Sequence, residues 1–275
     1  MSALAEKVRD ATTLLFVPGD RPERFAKAGA SGAGLVVLDL EDAVAPDRKA
    51  EARAHVAEWV AGNHECAVRI NPPGTEWHEA DLAAFSTQHC AVMLPKAEDA
   101  ETVREVADGL GGSPLIALIE TAQGVLDARH IGRVAAVQRL AFGSFDLAAQ
   151  LGVDPGDREA LAASRSALVL ASAAVGLPGP VDGVTGDLHD DELLTDDVRH
   201  ARLLGFTGKL CVHPKQVAAT TAALRPTDDQ LHWAREVVDA AVQGGVVAVR
   251  GQMIDKPVVE RARRVLRQVA ERNPR

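Results

Sequence analysis

Cysteine is scarce in this 275-residue chain: three residues, at 66, 90 and 211, with no CxxC pair. The odd count excludes a disulfide framework and points to a reducing compartment. Basic charge is also short, since 30 Lys and Arg against 39 Asp and Glu leave a formal charge of −9. No general attraction to nucleic acid or an anionic membrane follows, so an anionic ligand needs a local basic site. Long hydrophobic runs are missing, and the longest weakly polar stretch, Ala167 to Val181, is too short and too rich in Ser, Gly and Pro to span a bilayer. The first thirty residues lack a signal-peptide pattern, and a soluble cytoplasmic protein is expected. Tandem repeats and low-complexity tracts are absent too.

Several chemistries are excluded by spacing. There is no P-loop, no GxSxG elbow and no catalytic-cysteine setting. The glycines between Gly29 and Gly34 precede an apolar run instead of following one, so they form no dinucleotide fingerprint. His64-Glu65 and His78-Glu79 lack the second His of a zincin helix.

What is present is a globular composition, 47% hydrophobic and 25% charged. A chain of this length buries roughly 70–75% of its unfolded surface and holds a core without disulfides. Short apolar runs recur at Thr12 to Val17, Leu35 to Leu40, Ala67 to Ile70, Ala91 to Leu94, Leu115 to Ile119, Leu140 to Phe142, Pro180 to Val184 and Lys209 to Val212. Between them lie alanine-rich segments with helical spacing, such as Asp47 to Val60, Ala97 to Asp108 and Ser164 to Val175. Strands apolar along most of their length suit a parallel sheet covered on both faces, which needs helical crossovers. The pattern predicts a (β/α)8 TIM barrel over residues 1–225, with a doubly wound sheet as competitor. Residues 226–275 are expected to form a C-terminal helical extension: a helix from Asp229 to Gln243, a Gly-Gly turn, a segment from Val246 to Ile254, and a helix from Pro257 to Glu271. A lid, an oligomerisation arm and plain packing are its possible roles.

In a parallel barrel the active site forms where strands end. The strand ends here are polar: Asp20-Arg21, Glu41-Asp42, Arg69 and Asn71, Lys96, Glu120, Asp146, Asp182 and His213-Pro214. A single charge there reads as a solvated terminus or cap, but the collection implies carboxylates and cations converging on one rim. Crowded carboxylates call for a divalent cation or shifted pKa values, and oxygen donors favour Mg²⁺ or Mn²⁺ over zinc.

These strand ends carry a resemblance. FVPGDRPERF at 16–25, VVLDLEDAV at 36–44, VRIN at 68–71, MLPKAE at 93–98, LIETAQG at 118–124, FGSFDLAAQLG at 142–152 and KLCVHPKQ at 209–216 are similar, in order, to the citrate lyase beta subunit family of the HpcH/HpaI aldolase superfamily. The likeness continues through Met253-Ile254-Asp255 and so covers nearly the whole chain. It implies a barrel, usually a homotrimer, that uses Mg²⁺ to cleave 3-hydroxyacyl-CoA thioesters of the citramalyl, malyl, citryl or 3-hydroxy-3-methylglutaryl type into acetyl-CoA and a 2-oxo acid.

The resemblance assigns the metal to Glu120 and Asp146, with Glu41 and Asp42 behind, holding water or orienting Arg69. A helix N-terminal cap is the competing reading for Glu41 and Asp42. Arg69 is expected to stabilise the thioester oxygen as charge develops, an ion-pair role being the alternative. Asp255 matches the family's acid/base aspartate on a C-terminal segment, and it reads equally as the N-cap of the last helix. Arg21, Arg24 and Lys27 suit the phosphates of CoA, and His213-Pro214 the thioester channel. Lys96 is no Schiff-base candidate beside Glu98 and Asp99. Three alternatives accompany the CoA lyase: a subunit acting on a thioester borne by an acyl carrier protein, a CoA-free class II 2-oxo acid aldolase, and a non-catalytic trimeric partner subunit.

Overall fold

The computed structural model describes residues 2–243, 248–250 and 252–270. Strands β1 (Thr13–Pro18), β2 (Leu35–Asp39), β3 (Ala67–Arg69), β4 (Ala91–Leu94), β5 (Leu115–Ile119), β6 (Val137–Phe142), β7 (Val181–Asp182) and β8 (Gly208–Cys211) form a closed parallel barrel in sequence order. The ring closes where Leu14 of β1 pairs with Leu210 of β8. All eight expected strands are present, and the doubly wound alternative is excluded by closure. β6 begins three residues earlier than its apolar run, at Val137, because Val137 and Arg139 pair with Leu115 and Ile116 of β5, across a register shift that passes over Gln138.

The helices are α1 (Ala3–Asp10), α2 (Phe25–Gly29), α3 (Lys49–Ala61), α4 (His78–Phe85), α5 (Ala100–Gly109), α6 (Ala122–Ile131), α7 (Ser144–Leu151), α8 (Ala162–Ala174), α9 (Asp191–Leu204), α10 (Lys215–Ala223), α11 (Asp228–Gln243) and α12 (Lys256–Ala270). Their starts have local causes. Asp99 accepts the N–H groups of Glu101 and Thr102, which moves the start of α5 from the expected Ala97 to Ala100. Thr121 caps α6 through the N–H of Gly124 one residue after Glu120. α3 buries Ala52, Val56 and Val60 at four-residue spacing.

Alternation along each strand divides the core in two. Leu14, Leu35, Val37, Ala67, Met93, Ile116, Leu118, Ala141, Val181 and Leu210 fill the barrel interior, and the intervening residues pack against the helices. α1 closes the bottom of the barrel with Leu4 and Val8. There the fully buried Arg139 guanidinium donates to the carbonyls of Val8, Arg9, Ala11 and Gly179 and to Thr207 Oγ1. Burial lowers its pKa to about 10, which leaves it charged at neutral pH.

The chain divides into two compact units, Met1–Thr221 and Ala222–Arg275. In the second, α11 and α12 pack around Ala234, Val237 and Ala262, and Arg261 lies 4.8 Å over the Trp233 ring. Two short antiparallel strands, β9 (Ala248–Val249) and β10 (Gln252–Met253), lie between these helices in the chain. The expected Gly-Gly turn and the residues just after it fall outside the described residues, as does Glu271. Among the described residues, no helix is long and apolar enough to cross a membrane.

Candidate active site

The same alternation that fills the barrel decides what reaches its top. Asp39 shares the inward face of β2 with Leu35 and Val37, and Arg69 shares that of β3 with Ala67. The two are direct register partners. Arg69 Nε and Nη2 donate to the two Asp39 oxygens at 2.7 and 2.6 Å, a bidentate pair in which both residues are buried. Arg69 also lies 4.7 Å over the Phe16 ring of β1. Its third nitrogen, Nη1, is 2.9 Å from Glu41 Oε2 and 3.6 Å from Asp42 Oδ2. Burial alone would lower the Arg69 pKa, but Asp39, Glu41 and Asp42 outweigh it and hold the guanidinium charged.

Asp39 was invisible as a site residue in the sequence, where it stands inside an apolar run. It also accepts the backbone N–H groups of Glu41 and Ala43, and so shapes the turn that carries Glu41. Lys49 reinforces that turn from α3, donating to the carbonyls of Leu40 and Glu41 at 2.8 and 2.9 Å.

Glu41 and Glu120 form the acidic half of the cluster. Both are almost fully buried, at 4% and 3% exposure. Burial pushes Glu120 up to about 8, the negative charges of Glu41 and Asp146 adding to it. Burial likewise raises Glu41 to about 6 despite Arg69 beside it. Lys96 joins the two. Its backbone N–H donates to Glu120 Oε1 at 2.8 Å and its Nζ to Glu41 Oε1 at 3.2 Å. Lys96 adopts φ 48°, a left-handed conformation rare for a side-chain-bearing residue, two residues after the end of β4. Burial would lower its pKa, but Glu41, Glu120 and Asp42 raise it, which keeps the ammonium charged.

Gly143 completes the pocket for Glu120. A Cβ there would overlap the Glu120 side chain, so only glycine leaves the carboxylate its position. Asp146 follows in the first turn of α7, exposed and close enough to raise the pKa of Glu120. Asp42, also exposed, sits at the rim.

This donor set fits a hard divalent cation. Glu120 and Asp146 are neighbouring oxygen donors, and a divalent charge between them would offset the repulsion that now favours a proton. Among the described residues no group of three or more His, Cys, Asp and Glu is arranged to hold a metal. Mg²⁺ takes one or two protein carboxylates and completes its shell with water and ligand oxygens, so Glu120 and Asp146 are enough donors for it.

The remaining expected site residues are placed as follows. Arg21, Arg24 and Lys27 are exposed along the turn after β1 and on α2, with Asp20 3.8 Å from Arg21 and Glu23 3.8 Å from Arg24. His213 and Pro214 follow β8 half-buried, the His213 ring accepting the N–H of Lys215. Asp255 lies in the second unit, where one of its oxygens accepts the N–H of Val258 and caps α12. Two strand-end residues do not join the cluster. Asn71 is buried and tied through its amide to Asp81, and Asp182 points away from the interior because Val181 takes the inward position on β7.

The HpcH/HpaI aldolase/citrate lyase family profile matches residues 12–214, from the residue before β1 to Pro214. The chain belongs to this family. Among its relatives, a citrate lyase subunit beta-like protein of Mycobacterium tuberculosis is 39% identical over 265 residues, covering 94% of this chain and 95% of the relative. A (3S)-malyl-CoA thioesterase of Cereibacter sphaeroides is 33% identical and covers 96% of both chains. The mitochondrial citramalyl-CoA lyase of Mus musculus is 30% identical over 92% of this chain and 84% of its own length. The M. tuberculosis CitE structure in complex with magnesium, acetoacetate and coenzyme A superposes with a TM-score of 0.85 at 38% identity, covering 95% of this chain and 99% of that one.

Proposed function

We propose that this family member is a Mg²⁺-dependent carbon–carbon lyase that cleaves a 3-hydroxyacyl-CoA thioester into acetyl-CoA and a 2-oxo acid. The observation that carries the reading is the buried junction of Arg69, Glu41 and Glu120 at the top of the barrel, built from three strand ends. Glu120 and Asp146 would hold the ion, with Glu41 behind them. When bound, Mg²⁺ supplies a Lewis acid that lowers the cost of negative charge on the substrate's hydroxyl oxygen.

The chain's own residues do the rest. Arg69 is held rigidly by Asp39 and presents Nη1 toward the cluster, where it stabilises the thioester oxygen as the carbon–carbon bond breaks and that oxygen takes up charge. Lys96 keeps Glu41 and Glu120 in place from one residue. Arg21, Arg24 and Lys27 receive the CoA phosphates, and His213 and Pro214 flank the thioester arm. The hydroxyl proton leaves to solvent, and Asp255, reaching in from its own or a neighbouring subunit and reprotonated from solvent, would deliver a proton to the enolate carbon of the acetyl group; its cap bond uses only one of two carboxylate oxygens. A homotrimer in the cytoplasm is the proposed assembly and location.

The test is direct. Purified protein with Mg²⁺ is mixed with malyl-, citramalyl-, citryl- and 3-hydroxy-3-methylglutaryl-CoA, and products are followed by mass spectrometry with and without EDTA. EDTA-sensitive release of acetyl-CoA together with a 2-oxo acid, or with acetoacetate from the 3-hydroxy-3-methylglutaryl thioester, supports the lyase. The malyl-CoA thioesterase relative gives a second reading, in which malate and free CoA appear instead. No turnover of any CoA thioester by folded, Mg²⁺-bound protein would favour a carrier-protein thioester or a CoA-free aldolase substrate.

A further inference from the structure

Outside the barrel, between the sheet and its helices, lies a second charged group that the lyase reading does not use. Asp182 of β7 and Lys209 of β8 are register partners whose side chains face away from the interior, since Val181 and Leu210 occupy the inward positions. Arg165 of α8 donates through Nε to Asp182 Oδ1 at 2.9 Å, and Lys209 Nζ to Oδ2 at 3.1 Å. All three residues are more than nine-tenths buried, with exposures of 8%, 2% and 2% for Arg165, Asp182 and Lys209.

The charges do not balance. Two buried cations share one carboxylate, and an uncompensated buried charge is unfavourable unless something neutralises it. Polar atoms are left over as well: Arg165 Nη1 is buried without a hydrogen-bond partner, and so is Nε2 of His200 on α9, a donor in the Nε2–H tautomer. Both residues line one cavity of about 280 Å³, also walled by Arg158, Thr185, Asp182 and Lys209. That volume is several times the roughly 30 Å³ share of a water molecule in the liquid.

Arg158 and Asp197, the other charges that line the cavity, are engaged with each other and, for Arg158, with Asp196 outside it. Arg158 donates to Asp196 and Asp197 at 2.8 and 3.0 Å, and Asp197 accepts the Thr185 hydroxyl at 2.7 Å. Burial, then Arg158 and Arg165, lower the His200 pKa, so at neutral pH the ring enters the cavity uncharged. Asp196 is exposed and lies outside the cavity wall, so the wall itself, with Arg158, Arg165 and Lys209 against Asp182 and Asp197, carries one net positive charge.

We propose that this cavity is a binding site for a small oxyanion of the phosphate or carboxylate type, received by Arg165 Nη1 and His200 Nε2 and neutralised by the surplus cation. The site is distinct from the proposed lyase centre, because Asp182 and Lys209 stand on the outward faces of β7 and β8, Arg165 on α8, Asp197 and His200 on α9, and Arg158 on the segment before α8. It is independent of that reading and survives its failure. Phe145, next to Asp146, also lines the cavity, which puts the bound anion beside the turn carrying that carboxylate.

The test uses the full chain in MOPS buffer without added halide, titrated calorimetrically with inorganic phosphate and separately with malonate. Binding of either anion is expected, and which one binds identifies the chemical type. Arg165→Met should abolish it and His200→Leu should weaken it at least about tenfold. Arg165→Met risks misfolding because it strips Asp182 of a partner; His200, only partly buried, gives the variant that keeps the proposal decidable. The triple variant Arg21→Ala, Arg24→Ala, Lys27→Ala should leave the affinity unchanged. Absence of binding by both anions, full affinity in His200→Leu, or loss in the triple variant would each overturn the proposal.

Discussion

Arg69 and Asp39 form a two-pronged ion pair at 2.7 and 2.6 Å across adjacent strands, and the third Arg69 nitrogen is thereby left to meet Glu41. A planar guanidinium gripped along one edge cannot rotate its other edge away. Asp39 is therefore the positioning residue of the cluster. Asp39→Asn should lower kcat about 100-fold, as expected for a displaced charged group, while Mg²⁺ affinity changes little. Breaking a buried pair should also cost about 3 kcal/mol of stability, read from the urea midpoint. Wild-type kcat in a folded Asp39→Asn protein would remove this role.

Gly143→Ala tests the pocket of Glu120. Its φ of −89° is ordinary, so the effect comes from space alone. Displacement of the Glu120 carboxylate should weaken Mg²⁺ binding by more than about tenfold, with an overpacking cost of about 1–3 kcal/mol. Titration calorimetry and thermal unfolding read the two effects separately.

The raised values of Glu120, about 8, and Glu41, about 6, set the sign of a pH effect. Both exceed the ordinary carboxylate value of 4.5, so between about pH 4.5 and 8 the metal-free folded chain binds more protons than the unfolded one. The contribution of these groups to stability is complete below pH 4.5 and is lost as pH rises through their folded values. Mg²⁺ binding at pH 7 should expel about one proton, mainly from Glu120, and affinity should rise toward pH 8 and then level off. Calorimetry in buffers of different ionisation enthalpy counts the proton; equal heats would contradict it. Glu120→Gln should remove both the proton release and the metal binding.

The three cysteines should be inert in the native state. Cys66, Cys90 and Cys211 are 1%, 1% and 0% exposed, and burial pushes the thiols up to about 12, 12 and 11. A thiol reagent at pH 8 should titrate none of them until denaturant is added, and then all three. Reaction of one thiol at native rates would show local opening around that residue.

Arg139 offers a control from the opposite end of the barrel. Arg139→Met strands the carbonyls of Val8, Arg9, Ala11 and Gly179 at the closure by α1, and should cost about 3–5 kcal/mol. Mg²⁺ affinity of the folded fraction should be unchanged, because Glu120 and Asp146, the residues proposed to hold the ion, stand at the other end of the strands. A parallel loss of metal binding would show that the two ends are coupled.

Much of this was legible in the sequence because barrel strands are short apolar words punctuated by chemistry. Glu120, Arg69 and Glu41 stand at word ends, and the structure brings them to one rim. Asp39 was not legible as a site residue, though its spacing from Val37 and Leu35 carried the signal: a carboxylate on an inward face must find a partner. Asp182 shows the converse. It also stands at a strand end, yet one residue of parity turns it outward to Arg165 and Lys209.

The sequence by itself determined the order of strands and helices, the family, and the residue types available at each strand end, because hydrophobic period and local capping act over a few residues. Only the tertiary structure decided which strand-end charges meet. That depends on barrel register, on the side each strand presents, and on contacts 24 to 55 residues apart such as Lys96 with Glu120 and Glu41. It also decided the surplus charge behind β7 and β8, since a buried cation is recognised only when every neighbour that might neutralise it has been placed.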